Sequence, residues 1–354
     1  MKTSMATPPR GPALRGGVLA LLASALFGIS TPLVQHFGAG LGAFSTAALL
    51  YAGAAVLGAA LRQPVEAEAR LRRSDARRLL AMAGFGAVIG PVALAWGLQR
   101  TSGTSASLML TLEALFTALL AWRLYHETLD RRVRAAMALL LAGGMVLVLD
   151  QGRTGGTQLL GLLAVLVATA AWGIDNTLSR ALAERDPAQV VMAKAALGAT
   201  ATTLLAIASG EPLPGVVAAL ALLAVGATGY GLSLRFYLLA QRAFGAARTG
   251  SVFAFAPFIG AVLAVVLGDR SASWVMALGS VLMLAGVLLH LAESHGHEHP
   301  HEALDHEHAH RHDDGHHEHR HDPMPAGEHS HAHHHEPMRH GHPHVPDAHH
   351  RHRH

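Results

Sequence analysis

The residues able to do chemistry in this sequence fall into two groups of opposite character. The first is a few ionisable side chains set inside long apolar runs, chiefly Glu113 in SLMLTLEALFTALLA and Lys194 in VVMAKAALGATATTLLAI. The second is a crowd of imidazoles: of 27 histidines, all but His36, His126 and His290 lie between His295 and His354. A charge held in an apolar run is costly and marks a site of proton or solute handling. Glu113 sits about ten residues from either end of its run, too deep to reach an edge. There it can act as a proton-coupling or solute-contacting carboxylate, or, in a purely structural role, as a protonated acid hydrogen-bonded to a neighbouring helix. Lys194 lies about five residues from the end of its run, and three roles fit it: neutralising Glu113, holding an anionic solute, or snorkelling to the interface. Pro257 and Tyr230 complete the candidate set.

The imidazoles point to metal. Near neutral pH most are uncharged and free to ligate. Imidazole with nearby carboxylate and no thiolate suits Zn, Ni, Co or Cu, and the sequence has no cysteine. The candidate ligands are His297, His299, His301, His306, His308, His310, His316, His317, His319, His333, His334, His335, His349 and His350. Interleaving with Glu, Asp, Arg, Pro and Met distinguishes the stretch from a purification tag. Three matches to HExxH, at HEHPH, HEHAH and HEHRH, follow from composition and lack the helix and third ligand that zinc proteolysis needs. No metal cofactor is required by the rest of the chain.

The elements that must position Glu113 and Lys194 are membrane spans. About 20 apolar residues cross a bilayer, and that ruler gives ten: roughly 16–36, 42–61, 79–98, 103–122, 134–149, 158–178, 188–208, 215–239, 249–267 and 273–292. The first resembles a signal peptide but runs on past its small-residue triplet, and is read as a helix. With the N-terminus inside, seventeen Lys and Arg fall in cytoplasmic segments and three, Arg100, Arg153 and Arg270, in the opposite loops. Both termini are therefore expected in the cytoplasm, at the cell (inner) membrane. Trp122, Trp172, Trp274 and Tyr125 read as interfacial anchors, Asp175 and Asn176 as a helix end, Arg235 as a snorkelling cation, and Pro32 and Pro91 as helix kinks. The pI near 9.7 reflects topology signals and not a nucleic-acid-binding face.

A shift of about 145 residues brings ALFGISTPL onto AWGIDNTL, SLMLTLEALFTALLA onto SVFAFAPFIGAVLAV, and LLAGGMVLVL onto LMLAGVLLHL. Pro257 then aligns with Glu113. Each copy holds five spans, so the second is inserted upside down, the plan of carriers whose site lies at mid-membrane between inverted repeats. The expected divisions are a cytoplasmic N-terminus 1–14, repeats 15–150 and 151–293, and a disordered His-rich tail 294–354, too polar to bury a core.

On these residues (FG and WG in the first helix of each copy, the block from Thr101 to Leu129 with its partner ending at Gly268, and AGG and AG in the last helices) the chain resembles EamA-type carriers of the drug/metabolite transporter superfamily. The resemblance covers about residues 14 to 292 and implies an all-α bundle of ten helices in two inverted repeats. It also implies secondary transport of small organic solutes, often outward. Where that family commonly has an arginine in the second helix, this chain reads AALLYAG. Three functions follow: a solute exporter with a metal-binding tail, a carrier of a divalent metal or metal complex fed by the tail, and a membrane-anchored metal sensor or store. The expected partners are the bilayer, a small solute and divalent metal ions, without nucleic acid; monomer and homodimer both fit. The spans exclude a soluble enzyme, and no nucleophile and base are placed for a membrane one.

Overall fold

The computed structural model describes residues 10–63, 68–125, 131–182, 185–244, 246–291, 295–301, 304–310, 329–335 and 338–344. Ten apolar helices account for the body: α1 Leu14–Phe37, α2 Ala43–Ala60, α3 Arg73–Leu98, α4 Gly103–Leu124, α5 Arg131–Gly152, α6 Gly156–Ser179, α7 Pro187–Ala208, α8 Val216–Ala243, α9 Thr249–Val266 and α10 Trp274–Leu291. Among the described residues the first nine are long and apolar enough to cross a membrane, and α10 has a shorter apolar stretch, Trp274–Leu289. Large apolar side chains such as Val56, Leu149, Ile207, Val217 and Val266 face outward, while Ser24, Thr31, Thr46, Ser105, Thr169 and Thr202 are buried. That inside-out distribution is stable where the surrounding solvent is lipid.

The packing has the symmetry of the repeat. Helix α2 packs on α7, α4 on α9 and α5 on α10, each on its own counterpart, while α1 contacts α8 and α9 just as α6 contacts α3 and α4. Exchanging the two sets of five leaves this pattern unchanged.

Four departures from regular α-helix interrupt the bundle in two symmetric pairs. Helix α3 contains a π-helical segment, Ala83–Ile89, and α8 contains another, Gly226–Leu232; their first residues are 143 positions apart. Pro91 follows the first and lacks the N–H its turn would use, and both segments are glycine-rich, which weakens the α ladder. Helix α4 breaks between Gly103–Met109 and Leu112–Tyr125, and α9 between Ala246–Phe253 and Ala256–Val266. At both breaks the backbone tightens to bonds spanning three residues, Thr111 N–H to Leu108 O at 3.0 Å and Phe255 N–H to Val252 O at 3.2 Å.

In the tail the described residues form two short antiparallel ladders. Strands β1 His295–His301 and β4 Met338–His344 pair antiparallel, as do β2 Leu304–His310 and β3 His329–His335. Short alternating segments without an apolar run favour extended backbone over helix, and two-stranded ladders of this kind are marginal in water.

Candidate functional site

The site grows from two contacts that tie helices of the second repeat to one another and to the first. Lys194, on α7, is only 3% exposed and its ammonium is ion-paired with Oδ2 of Asp175 on α6. Oδ1 of the same carboxylate is buried without a hydrogen-bond partner. Lys194 is therefore held inside the bundle by Asp175 and does not reach the interface, and Asp175 is not a helix end: its side chain turns into the bundle, four residues before α6 stops. Asp175 lies against Gly86, within the π-helical segment of α3, and a Cβ there would overlap the carboxylate. Glycine at 86 thus supplies the space in which the pair forms.

Glu113 is partly buried and opens the second segment of α4, where it occupies the first turn. The break just before it leaves backbone N–H groups without α-helical partners, and a helix start favours negative charge. Its Oε1 accepts a hydrogen bond from Nδ2 of Asn176, the neighbour of Asp175 on α6. Gly173, one turn earlier, packs against Phe116 and lets α4 approach α6. Consecutive residues of α6 therefore hold the two ionisable groups singled out in the sequence, Lys194 through Asp175 and Glu113 through Asn176.

Above this polar layer lies a cluster of rings from both repeats. Phe27 of α1 and Trp172 of α6, the residues that align in the repeat, meet edge to face with centroids 5.5 Å apart. Tyr230, in the π-helical segment of α8, lies 5.8 Å from Phe27, 5.6 Å from Tyr51 of α2 and 6.3 Å from Trp172. Phe253, at the break of α9, closes on Phe27 at 5.3 Å and on Tyr237 at 5.1 Å. The Tyr51 hydroxyl and Trp172 Nε1 both donate to the Gly86 carbonyl, the latter at 3.0 Å. A π-helical turn redirects main-chain carbonyls out of the α ladder, and here one such carbonyl anchors two of the rings. The Tyr230 hydroxyl is buried beside Ser30 and makes no well-formed hydrogen bond. Buried polar atoms are nearly always satisfied, so the unsatisfied atoms at this centre, among them Asp175 Oδ1 and the Tyr230 hydroxyl, are points at which a solute can gain.

Of the four sequence candidates, Glu113, Lys194 and Tyr230 reach this centre. Pro257 is buried just after the α9 break, in a segment whose Ala256 carbonyl packs against Gly28 beside Phe27. Trp172 is 5% exposed and belongs to the ring cluster, a correction to its reading as an interfacial anchor; Trp122 and Trp274 do face outward, at 49% and 77%. Arg235 is half-buried, with Nε lacking a hydrogen-bond partner. Tyr51 was not picked out by the sequence, and Asp175 and Asn176 were read there as a helix end. Tyr51 stands inside AALLYAG, the stretch where the resembled family has an arginine, and the adjacency of Asp175 and Asn176 to the repeated WG was the available signal.

Among the described residues no three His, Asp or Glu side chains converge to hold a metal ion. In the tail, backbone register sets His297 opposite His342, His299 opposite His340, His301 opposite Met338, His306 opposite His333, His308 opposite His331 and His310 opposite His329. His334 and His335 stand opposite Asp305 and Leu304, while His316, His317, His319, His349 and His350 lie outside the described residues.

Known proteins share this architecture. A solved crystal structure superposes with a TM-score of 0.56 at 22% identity, over 80% of this chain and 98% of its own, a likeness of fold. An uncharacterized transporter of Methanothermobacter thermautotrophicus is 26% identical over 235 residues, covering 65% of this chain and 68% of the relative. The model of the EamA-like transporter family matches twice, at residues 14–149 and 159–292, one match for each set of five helices. A membrane bundle built twice over on that pattern, with its polar centre between the copies, belongs to the EamA-like transporter family.

Proposed function

We propose that this membrane transporter of small solutes is a secondary carrier that works by alternating access, with net export as its direction and the Glu113–Lys194 centre as its site. The observation that carries the reading is the meeting of both repeats around buried, incompletely satisfied polar groups. There Asp175 Oδ1 and the Tyr230 hydroxyl await partners, and the helices beside them are broken or π-helical at symmetric positions. Interrupted helices at corresponding points of inverted repeats are where carriers bind solute. In this reading Glu113 takes up and releases the proton, Lys194 holds Asp175 and is freed to meet an anionic group of the solute, and Tyr230 contacts the solute. Pro257 keeps α9 broken opposite the α4 break. The outward direction rests on the family resemblance, and the cytoplasmic placement of both termini on the excess of Lys and Arg in the loops between α2 and α3, α4 and α5, and α6 and α7.

The test is proton movement in proteoliposomes carrying an internal pH dye, challenged in turn with amino-acid-like solutes and divalent metals. At least one solute should drive protons through the intact protein, and Glu113→Gln should abolish that coupling while the protein remains folded. A Glu113→Gln variant that couples as well as the parent would remove Glu113 from the mechanism.

A second reading has its own support in the 24 histidines between His295 and His354. The tail collects a divalent metal (Zn, Ni, Co or Cu), and the carried species is that metal or its complex. Metal-driven flux that falls when the chain is ended at Glu293 would favour it over the solute reading.

A further inference from the structure

The two ends of the bundle are fastened across the repeats by different means. At the end where α1 starts and α10 stops, Asp75 and Glu68 of the first repeat pair with Arg185 and Arg242 of the second, at 3.0 and 2.9 Å. At the opposite end two carboxylates of the second repeat reach helix starts of the first, beside one contact in the reverse sense, the Ser273 hydroxyl donating to Asp150 of the first repeat at 2.8 Å. Glu211, just after α7, accepts from the backbone N–H of Phe44 at 3.1 Å and of Ser45 at 2.7 Å, and from the Ser45 hydroxyl at 2.7 Å, all at the start of α2. Asp269, just after α9, accepts from the Thr104 N–H at 2.9 Å and its hydroxyl at 2.8 Å, at the start of α4.

The two carboxylates are built alike. Each follows a glycine of positive φ that ends its helix, Gly210 at 66° and Gly268 at 105°. Each also returns its own N–H to that helix, Glu211 to Ala206 O and Asp269 to Ala264 O, both at 3.0 Å. Carboxylates so held are aimed, and not merely near. The receiving side is shaped as well. Gly42, the N-cap of α2, has φ −64° and ψ 151°, a conformation open to any residue, and makes no side-chain cap of its own. A Cβ on Gly42 would collide with the Glu211 carboxylate, so what glycine contributes there is room for that group. Partial burial works against the charge on Asp269, but hydrogen bonds from Ser271 and Thr104 outweigh it and hold the carboxyl below its usual range. It is therefore charged at neutral pH. Glu68 and Glu211 are themselves separated by 143 positions, the spacing of the two π-helical segments. Equivalent acids of the two repeats thus fasten opposite ends of the molecule.

We propose that Glu211 and Asp269 form a two-point latch that closes the end of the bundle where α2 and α4 begin, and that releasing it from those helix starts opens the central site to that face. This rests on the alternating-access reading. The latch needs no cation: each helix start supplies backbone and hydroxyl donors and the positive end of the helix dipole. Releasing such a fastening lets α2 and α4 swing away without leaving a cation unpaired.

The natural sequence lacks cysteine, so one introduced thiol reports access without background. Ser107 on α4, one turn inward from Thr104, is fully buried and packs against Gly260 of the other repeat. Ser107→Cys in the full chain is labelled with a membrane-impermeant maleimide, in vesicles of each orientation and without solute. Glu211→Gln with Asp269→Asn should raise the labelling rate from the latched face on the order of tenfold, about what one lost helix cap is worth, and leave labelling from the other face no faster. Gly42→Ala, which keeps both charges but displaces Glu211, should act in the same direction. It decides the matter should the double variant not yield a monodisperse protein. Unchanged labelling in the folded variants, or an equal rise from both faces, overturns the latch. Because no solute is present, that result leaves the carrier reading standing, and a failure of every solute to move protons leaves the latch testable.

Discussion

At the scale of single residues, the Lys194–Asp175 pair separates structure from function most cleanly. Both groups are 3% exposed, and removing one partner of a buried pair leaves an uncompensated charge at a cost of about 3–5 kcal/mol. Lys194→Met alone and Asp175→Leu alone should each lower the thermal unfolding temperature well below the parent. The double replacement should recover most of that loss, because apolar residues of similar size often replace a buried pair without penalty. If the pair only holds α6 to α7, the double variant carries solute normally; on the functional assignment it unfolds like the parent and carries nothing. Glu113 stood out in the sequence as a charge far inside an apolar run, and Lys194 as one about five residues from the end of its run. Asp175 did not, because its place near the end of α6 allows either a turn outward or a turn inward. Which one occurs depends on the space left at Gly86, 89 positions earlier in the chain.

At the scale of elements, the decisive features are interruptions, and hydropathy scanning smooths these away. The π-helical segment of α3 brings the Gly86 carbonyl to Tyr51 and Trp172 and its bare Cα to Asp175. Gly86→Ala should therefore act at a distance from any solute contact: the added methyl must displace the Asp175 carboxylate, separating it from Lys194. The expectation is a folded protein with solute flux reduced at least about tenfold, since even small misplacement within a site has costs of that order. Gly84→Ala, two residues away with open space around its Cα, is the control and should leave flux near the parent's. The ten spans and their approximate limits were legible from apolar length alone. The breaks in α4 and α9 were not, because they come from a local tightening at Leu110–Thr111 and Ala254–Phe255 that leaves the apolar run intact. Their one trace in the sequence was Pro257, aligned with Glu113.

At the scale of the whole molecule, the body and the tail obey different physics. The body selects by geometry: opposed repeats, a closed ring cluster and fastenings at both ends. A histidine-rich chain selects by ligand type alone and holds metal loosely, in competition with protons. On the proposal that the tail binds metal, titration calorimetry at pH 7.5 should show several Zn or Ni sites in the full chain and their loss in a chain ended at Glu293. The full chain should itself release metal as pH falls through the mid-sixes and the imidazoles take up protons. Equal metal binding by the two chains would end the proposal. Flux measured on the same pair of proteins then assigns the tail its relation to the carrier. Solute-driven proton movement that survives truncation makes the tail a separate buffer attached to an independent machine. Metal-driven flux that is lost on truncation at low external metal, yet recovers at high metal, makes it a collector that raises the local concentration at the bundle's mouth. A collector changes how much metal is needed for half-maximal flux and leaves the maximal rate alone, because it shares none of the residues that Glu113, Asp175 and Lys194 place at the centre.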